Sequence, residues 1–152
     1  MQTKEALEKE IIEVEKTLEN VIKIKVGVLA YKDVYSAFTK LRKLNLRASI
    51  GWRLMNLAKQ VDGYVFPFET ARMKLCTDLC KKDEQDKPIM KADGHFDFTD
   101  ENRDKFAEQF DELANEEVQF EFKKLSLFDL GDAELSTNDL MNLEWLFKLD
   151  DD

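Results

Sequence analysis

Ile50, Leu54, Leu57, Val61, Tyr64, Phe68, Ala71, Leu75 and Leu79 recur every three or four residues. That spacing lays one apolar stripe along a helix. Sustained over so long a stretch, it calls for a long central helix on which the rest of the chain packs. Two residues oppose it. Gly63 lowers helix propensity, and Pro67 removes one i→i−4 hydrogen bond while its ring crowds the preceding turn. A kink or a break near Tyr64–Phe66 is the expectation.

Upstream, Leu7, Ile11, Val14, Leu18 and Val21 step by four and three, with Glu and Lys on the other faces. Residues 3–22 therefore read as an amphipathic helix. Its seam lasts about two heptads, short of what specifies a coiled coil. Residues 1–22 either pack on their own domain or serve as an interaction arm, for a partner or for a homo-oligomer. Lys23-Ile-Lys-Val-Gly-Val-Leu29 alternates and carries β-branched residues, which suits a short strand or an extended connector. A second helix is expected over Ala30–Lys43.

Beyond the long helix, residues 81–87 form a charged, solvated link. Asp93-Gly94 lies between Pro88-Ile-Met-Lys91 and His95-Phe-Asp-Phe98. Residues that tolerate positive φ between short alternating runs signal a β-hairpin. Thr99 is placed to cap a helix whose first turn holds Asp100 and Glu101, where acids favour the positive end of the dipole. Phe106, Phe110 and Leu113 face inward from it. Val118, Phe120 and Phe122 alternate with Gln119, Glu121 and Lys123, a half-buried strand. Ser136-Thr-Asn-Asp139 reads as a cap and first turn, with Leu140, Leu143, Leu146 and Phe147 completing one short helix. Asp150–Asp152 follow at the wrong end for its dipole and are expected to fray. The chain shows no internal repeat. It reads as α+β: residues 23–152 form a mainly helical single domain with a β-hairpin and one further short strand.

With 152 residues, 43% of them hydrophobic, the chain can bury one substantial core. No run of about 18 uncharged apolar residues is present, so no membrane-spanning helix is expected. Met1–Glu10 lacks the apolar stretch of a secretory signal. Two cysteines fit a reducing, intracellular setting better than a disulfide scaffold.

Charge is divided along the chain. Residues 1–82 hold 16 Lys/Arg and 10 Asp/Glu, whereas residues 83–152 hold 7 and 22. Lys23–Lys59 has nine basic residues and a single acid, Asp33. Such a layout suits binding to another macromolecule, or docking of the two halves on each other, through complementary fields.

Catalytic patterns are missing. There is one histidine, no G-x-S-x-G elbow, and five isolated glycines rather than a phosphate-binding loop. Residues 86–97 do not match the EF-hand spacing. Cys76, Cys80 and His95, with Asp93 or Asp97, are the best metal candidates, yet a lone C-x3-C lacks the second close pair of a structural zinc site. The chain reads as a non-enzyme with no cofactor and no metal. Lys32, Lys40, Arg42, Lys43, Arg47, Arg53 and Lys59, near Tyr31, Tyr35, Phe38 and Trp52, could join phosphate contacts to base stacking. The net charge of −9 opposes that use. Glu101, Asp104, Glu108, Asp111, Glu112, Glu116 and Glu117 could imitate a phosphate backbone if spaced at about 7 Å; a solvated helix face is the plainer account.

From Ala37 onward the order of motifs is distinctive. Leu41-Arg-Lys-Leu-Asn-Leu46 precedes a helix bearing Pro67-Phe-Glu-Thr-Ala-Arg72, followed by the polar hairpin Lys87–Phe98. Asn115-Glu-Glu-Val118 leads into the alternating strand. Leu125-Ser-Leu-Phe-Asp-Leu130 then precedes Leu135-Ser-Thr-Asn-Asp-Leu-Met-Asn-Leu-Glu144. Over residues 37–147 the chain resembles a family of small, functionally uncharacterised proteins of tailed bacteriophages and prophages. The N-terminal helix departs from that pattern. The resemblance implies a phage context, with the host cytoplasm or the virion as location, and carries no active site. A virion or assembly component acting by protein–protein contact is the leading expectation. An anti-defence or host-takeover inhibitor using the acidic surface, and a nucleic-acid-binding accessory, are the alternatives. Arg42, Lys43, Arg47, Trp52 and Arg53 are the expected partner-binding residues, because Trp and Arg are over-represented where interface energy concentrates.

Overall fold

The apolar stripe is met by one uninterrupted helix, α4, spanning Ala48–Leu79 with Pro67 inside it. The computed structural model describes residues 3–148, giving only the backbone over 12–19. Before α4 come α1 (Lys4–Glu19), β1 (Val21–Lys25), α2 (Val26–Leu29) and α3 (Lys32–Arg42). After it come α5 (Asp100–Ala114), β2 (Glu117–Glu121) and α6 (Thr137–Asn142), with 3-10 turns at Leu127–Leu130 and Glu144–Leu146. The architecture is α+β and mainly helical.

No break occurs near Tyr64–Phe66. Ile50, Leu54, Leu57, Val61, Val65 and Phe68 are all buried on one side of α4, and this common face keeps the turns before and after Pro67 in register. Pro67 itself lies on the exposed side, as does Gly63, the residue whose carbonyl loses its helical donor. Water can satisfy that carbonyl, so the missing bond is tolerated.

The alternating strand is β2, and it pairs antiparallel with β1, Val21 opposite Glu121 and Lys25 opposite Glu117. Period-two alternation sets the register. Ile22 and Ile24 face Phe120 and Val118 on the core side, while Lys23 and Lys25 stand outward. Lys23–Leu29, open between strand and connector on sequence, is both strand and helix, because β1 runs straight into α2. The segment expected as one helix over Ala30–Lys43 begins at Lys32, after Ala30 and Tyr31 close α2. Val26 donates to the Glu116 carbonyl at 2.8 Å. Gly27 then lets α2 approach α5 so closely that a Cβ there would sit 2.5 Å from the Ala114 Cβ.

The Asp93-Gly94 turn forms with Gly94 at φ +87°, the left-handed region that glycine tolerates. Its arms meet as a single bridge, Met90 to Phe96, and Lys82 bridges Pro88. Two backbone bonds tie these segments to Lys81, just past the end of α4: Lys81 donates to Asp97 and Ile89 to Lys81, while Asp97 donates to Ile89 between the arms. Thr99 caps α5 by accepting from the Asn102 N–H at 3.2 Å, and Ser136 caps α6 by accepting from Asp139 at 3.0 Å. Both caps stand where the sequence placed them. The last helix is shorter than expected, ending at Asn142, with Leu146 and Phe147 reaching the core through a 3-10 turn. Leu7 and Ile11 of the N-terminal seam are exposed; Val14 and Leu18 fall among the side chains not described, and Asp150–Asp152 lie outside the described residues.

Candidate partner-binding face

Arg42, Lys43, Arg47, Trp52 and Arg53 belong to the corner where α3 ends, residues 43–47 cross over, and α4 begins, but Arg42 reaches Asp62 while Arg53 reaches Phe122 and Lys123, on opposite flanks of α4. The corner holds its shape because Leu41, Ile50 and Leu54 are buried beneath it and Leu44 and Leu46 pack on the same core. A cleft of about 300 Å³ opens between Leu44, Leu46, Gly51, Leu54 and Met55, with Arg42 at its edge. Trp52 is 63% exposed and Met55 53%. Large apolar side chains held on a rigid helix among cations are the composition of an interface hot spot.

Part of the positive charge is answered within the fold. Arg42 meets Asp62 at 3.6 Å and lies over the Phe38 ring. Arg47 reaches Asp129 at 3.2 Å, and Lys40 reaches Asp139 at 3.3 Å. The last two pairs join the basic segment to the acidic C-terminal one, so the separated charges do serve docking of the halves. Arg53 donates to the Lys123 carbonyl and stacks on Phe122, so reversing its charge would disturb packing as well as charge. Lys43 and Lys59 have no carboxylate partner among the described residues. The Tyr35 hydroxyl donates to Asp62 at 2.8 Å; burial first, then that hydrogen bond, raises its pKa.

Asp139 is the one buried polar or charged residue among the described side chains. Burial pushes its carboxyl up, but hydrogen bonds from Ser136 and Lys40, with the Lys40 charge, outweigh that and bring it below the usual range. A folded pKa below the unfolded one supplies stability that is complete above the ordinary carboxylate pKa and lost as pH falls through the folded value. Asp139→Asn is therefore expected to lower stability modestly at neutral pH and to flatten the acid limb. Denaturant midpoints at neutral pH and below the carboxylate range check both effects.

The nucleic-acid arrangement is not assembled. Phe38 is 1% exposed and Tyr35 half-buried, which leaves Tyr31 and Trp52 as the exposed rings. Trp145, the other tryptophan, packs against Phe38 and Phe120, with its indole N–H donated to the Asn142 carbonyl. On α5, Glu101, Asp104, Glu108, Asp111 and Glu112 are all exposed. Steps of three and four residues space them about 4.5–6 Å along the axis, closer than phosphates on one strand. Lys105 also pairs with Glu101 at 3.5 Å.

Cys76 and His95 border one apolar depression of about 640 Å³ with Phe98, Phe106 and Phe110. His95 instead contacts Asp93 at 3.2 Å, and the Cys80 thiol points to the Thr77 carbonyl at 3.6 Å. Burial pushes the Cys76 thiol up, partly offset by Arg72. No three metal-binding side chains converge among the described residues. That depression joins another of about 660 Å³ through Arg72 and Phe110, floored by Val65 and Phe68 with exposed Tyr31 and Phe66 at its rim. Sequence reasoning missed this groove, because Phe66 falls off the α4 stripe and Tyr31, read only as a possible stacking ring, lies between α2 and α3. No described helix is long and apolar enough to cross a membrane. Compared with known families, curated proteins and solved structures, the chain finds no match.

Proposed function

We propose that this chain is a non-catalytic phage protein that works by holding another protein, as a component of the virion or of its assembly. The observation that carries the reading is Trp52, 63% exposed on the rigid N-terminal part of α4, with Lys43 and Arg47 in the crossing segment that leads into that helix. The phage context comes from the motif order between Ala37 and Phe147. Three acids already answer Lys40, Arg42 and Arg47, which favours a protein partner over a phosphate backbone.

Lys43 and Trp52 are cleaner probes than Arg47 and Arg53, both of which hold the fold. Trp52→Ala with Lys43→Glu is expected to leave the circular dichroism unchanged and to weaken partner binding by about 2 kcal/mol, roughly thirtyfold. Mass spectrometry of gradient-banded particles against infected-cell lysate tests the assignment as a whole. Stoichiometric presence in particles is the expected result. Abundance in the infected cell with absence from particles overturns it and brings forward an inhibitor acting through the acidic face of α5.

A further inference from the structure

Phe128 is 94% exposed, the most exposed large hydrophobic side chain among the described residues, and Leu127 beside it is 55% exposed. The turn that carries them is fixed. Leu125 and Leu130, on either side, are buried. The Ser126 N–H donates to the Asp129 carboxylate at 2.9 Å, and the Ser126 hydroxyl accepts from the Asp129 N–H in return. Arg47 holds the same carboxylate at 3.2 Å. A ring so exposed adds nothing to the core, and set on a rigid turn it loses little further freedom when a partner buries it. Leu127 and Phe128 together make a preformed apolar knob.

The same chain holds a recess for it. The depression of about 660 Å³ on the C-terminal half of α4 is floored by Val65 and Phe68, walled by Phe110 and rimmed by exposed Tyr31 and Phe66. It has room for a phenylalanine ring with a leucine beside it, and it offers rings for edge or offset packing. Charge agrees. Residues 125–135 carry three acids and no cation. Asp129 is taken by Arg47, which leaves Asp132 and Glu134 without a cationic partner among the described residues. In the recess Glu69 answers Arg72 at 2.9 Å, so Lys32 is the unanswered charge there. Knob and recess do not meet within one copy. Asp129 is tied to Arg47 at the N-terminal end of α4, and Val65 and Phe68 lie about 30 Å further along that helix.

We infer that Leu127 and Phe128 of one copy seat in the Tyr31, Phe66, Phe68 and Phe110 recess of the next, with Asp132 and Glu134 against Lys32. Knob and recess are different patches of the molecule, so the contact is heterologous. Each copy fills one neighbour and receives another, and the series grows into a ring or a filament. The inference goes beyond the reading of Trp52 and does not depend on it.

Sedimentation velocity of the full chain, from low to high micromolar concentration, tests it. The wild type is expected to grow past the dimer as concentration rises. Phe128→Asp removes the knob, and Phe66→Glu sets an acid on the rim of the recess. Both side chains are exposed, so each variant should keep the wild-type thermal midpoint. Each variant alone should stay monomeric. Their equimolar mixture should form a one-to-one pair and stop, because one intact knob meets one intact recess and neither free end continues. Phe128→Ala should weaken association about thirtyfold, the size of a hot spot. A wild type that stays monomeric or stops at a dimer overturns the inference, while the virion assay still decides the protein-binding reading. A mixture that stays monomeric overturns it too. Growth that survives Phe128→Asp overturns it in favour of self-association through another surface.

Discussion

Phe120→Ala is expected to cost about 3–5 kcal/mol, as truncation of a buried aromatic does. Phe120 is 1% exposed in β2, opposite Ile22. Its ring meets Tyr64 of α4 edge-on at 5.5 Å and Trp145 at 6.3 Å, so one side chain ties the sheet, the long helix and the C-terminal segment together. A loss of that size is a large part of the roughly 5–15 kcal/mol that holds an ordinary domain together. Urea unfolding measures it, and Gln119→Ala, on the outer face of the same strand, should stay within about 0.5 kcal/mol. A Phe120→Ala midpoint close to wild type would show that the three elements do not share this residue as a keystone.

Gly27→Val should follow, with about 1–3 kcal/mol lost to overpacking. The added Cβ would lie 2.5 Å from the Ala114 Cβ and 2.8 Å from its carbonyl oxygen. A methyl group can be removed, but a backbone carbonyl can only be moved by shifting α2 from α5. Ala114→Gly in the same chain should therefore restore part of the loss and not all of it. Calorimetry reads the effect as a fall of about 2–4 °C per kcal/mol in a domain of this size. Full rescue would mean that α2 is free to slide.

What the sequence conveyed was whatever a local rule governs. The α4 stripe, the caps at Thr99 and Ser136, the Asp93-Gly94 turn and the alternation of β2 each follow from residues within one or two turns of one another. What it did not convey depends on distant partners. Val21–Lys25 is a strand because Glu117–Glu121 lies beside it, and nothing in Lys23–Leu29 names that partner. Pro67 signals a break in any local reading, yet burial of Val61, Val65 and Phe68 along one face overrides it. The split of charge foreshadowed docking of the halves, but not that Arg47 would find Asp129 or Lys40 find Asp139. Trp52 was legible as a surface residue only because it falls outside the apolar stripe; Met55, its neighbour on the exposed side, was overlooked for the same reason.

The pairing of β1 with β2 also sets a clock. Lys25 and Glu117 are 92 residues apart in the chain, and Val21 and Glu121 are 100. At a synthesis rate of about 5–20 residues per second, the first strand waits about 5–20 s for the second to be made. Until then Val21-Ile-Lys-Ile-Lys25 is an unpaired edge, the kind of segment that recruits other strands. Its two lysines, outward-facing in the finished sheet, act as gatekeepers during the delay. The domain therefore closes only when nearly the whole chain has been delivered.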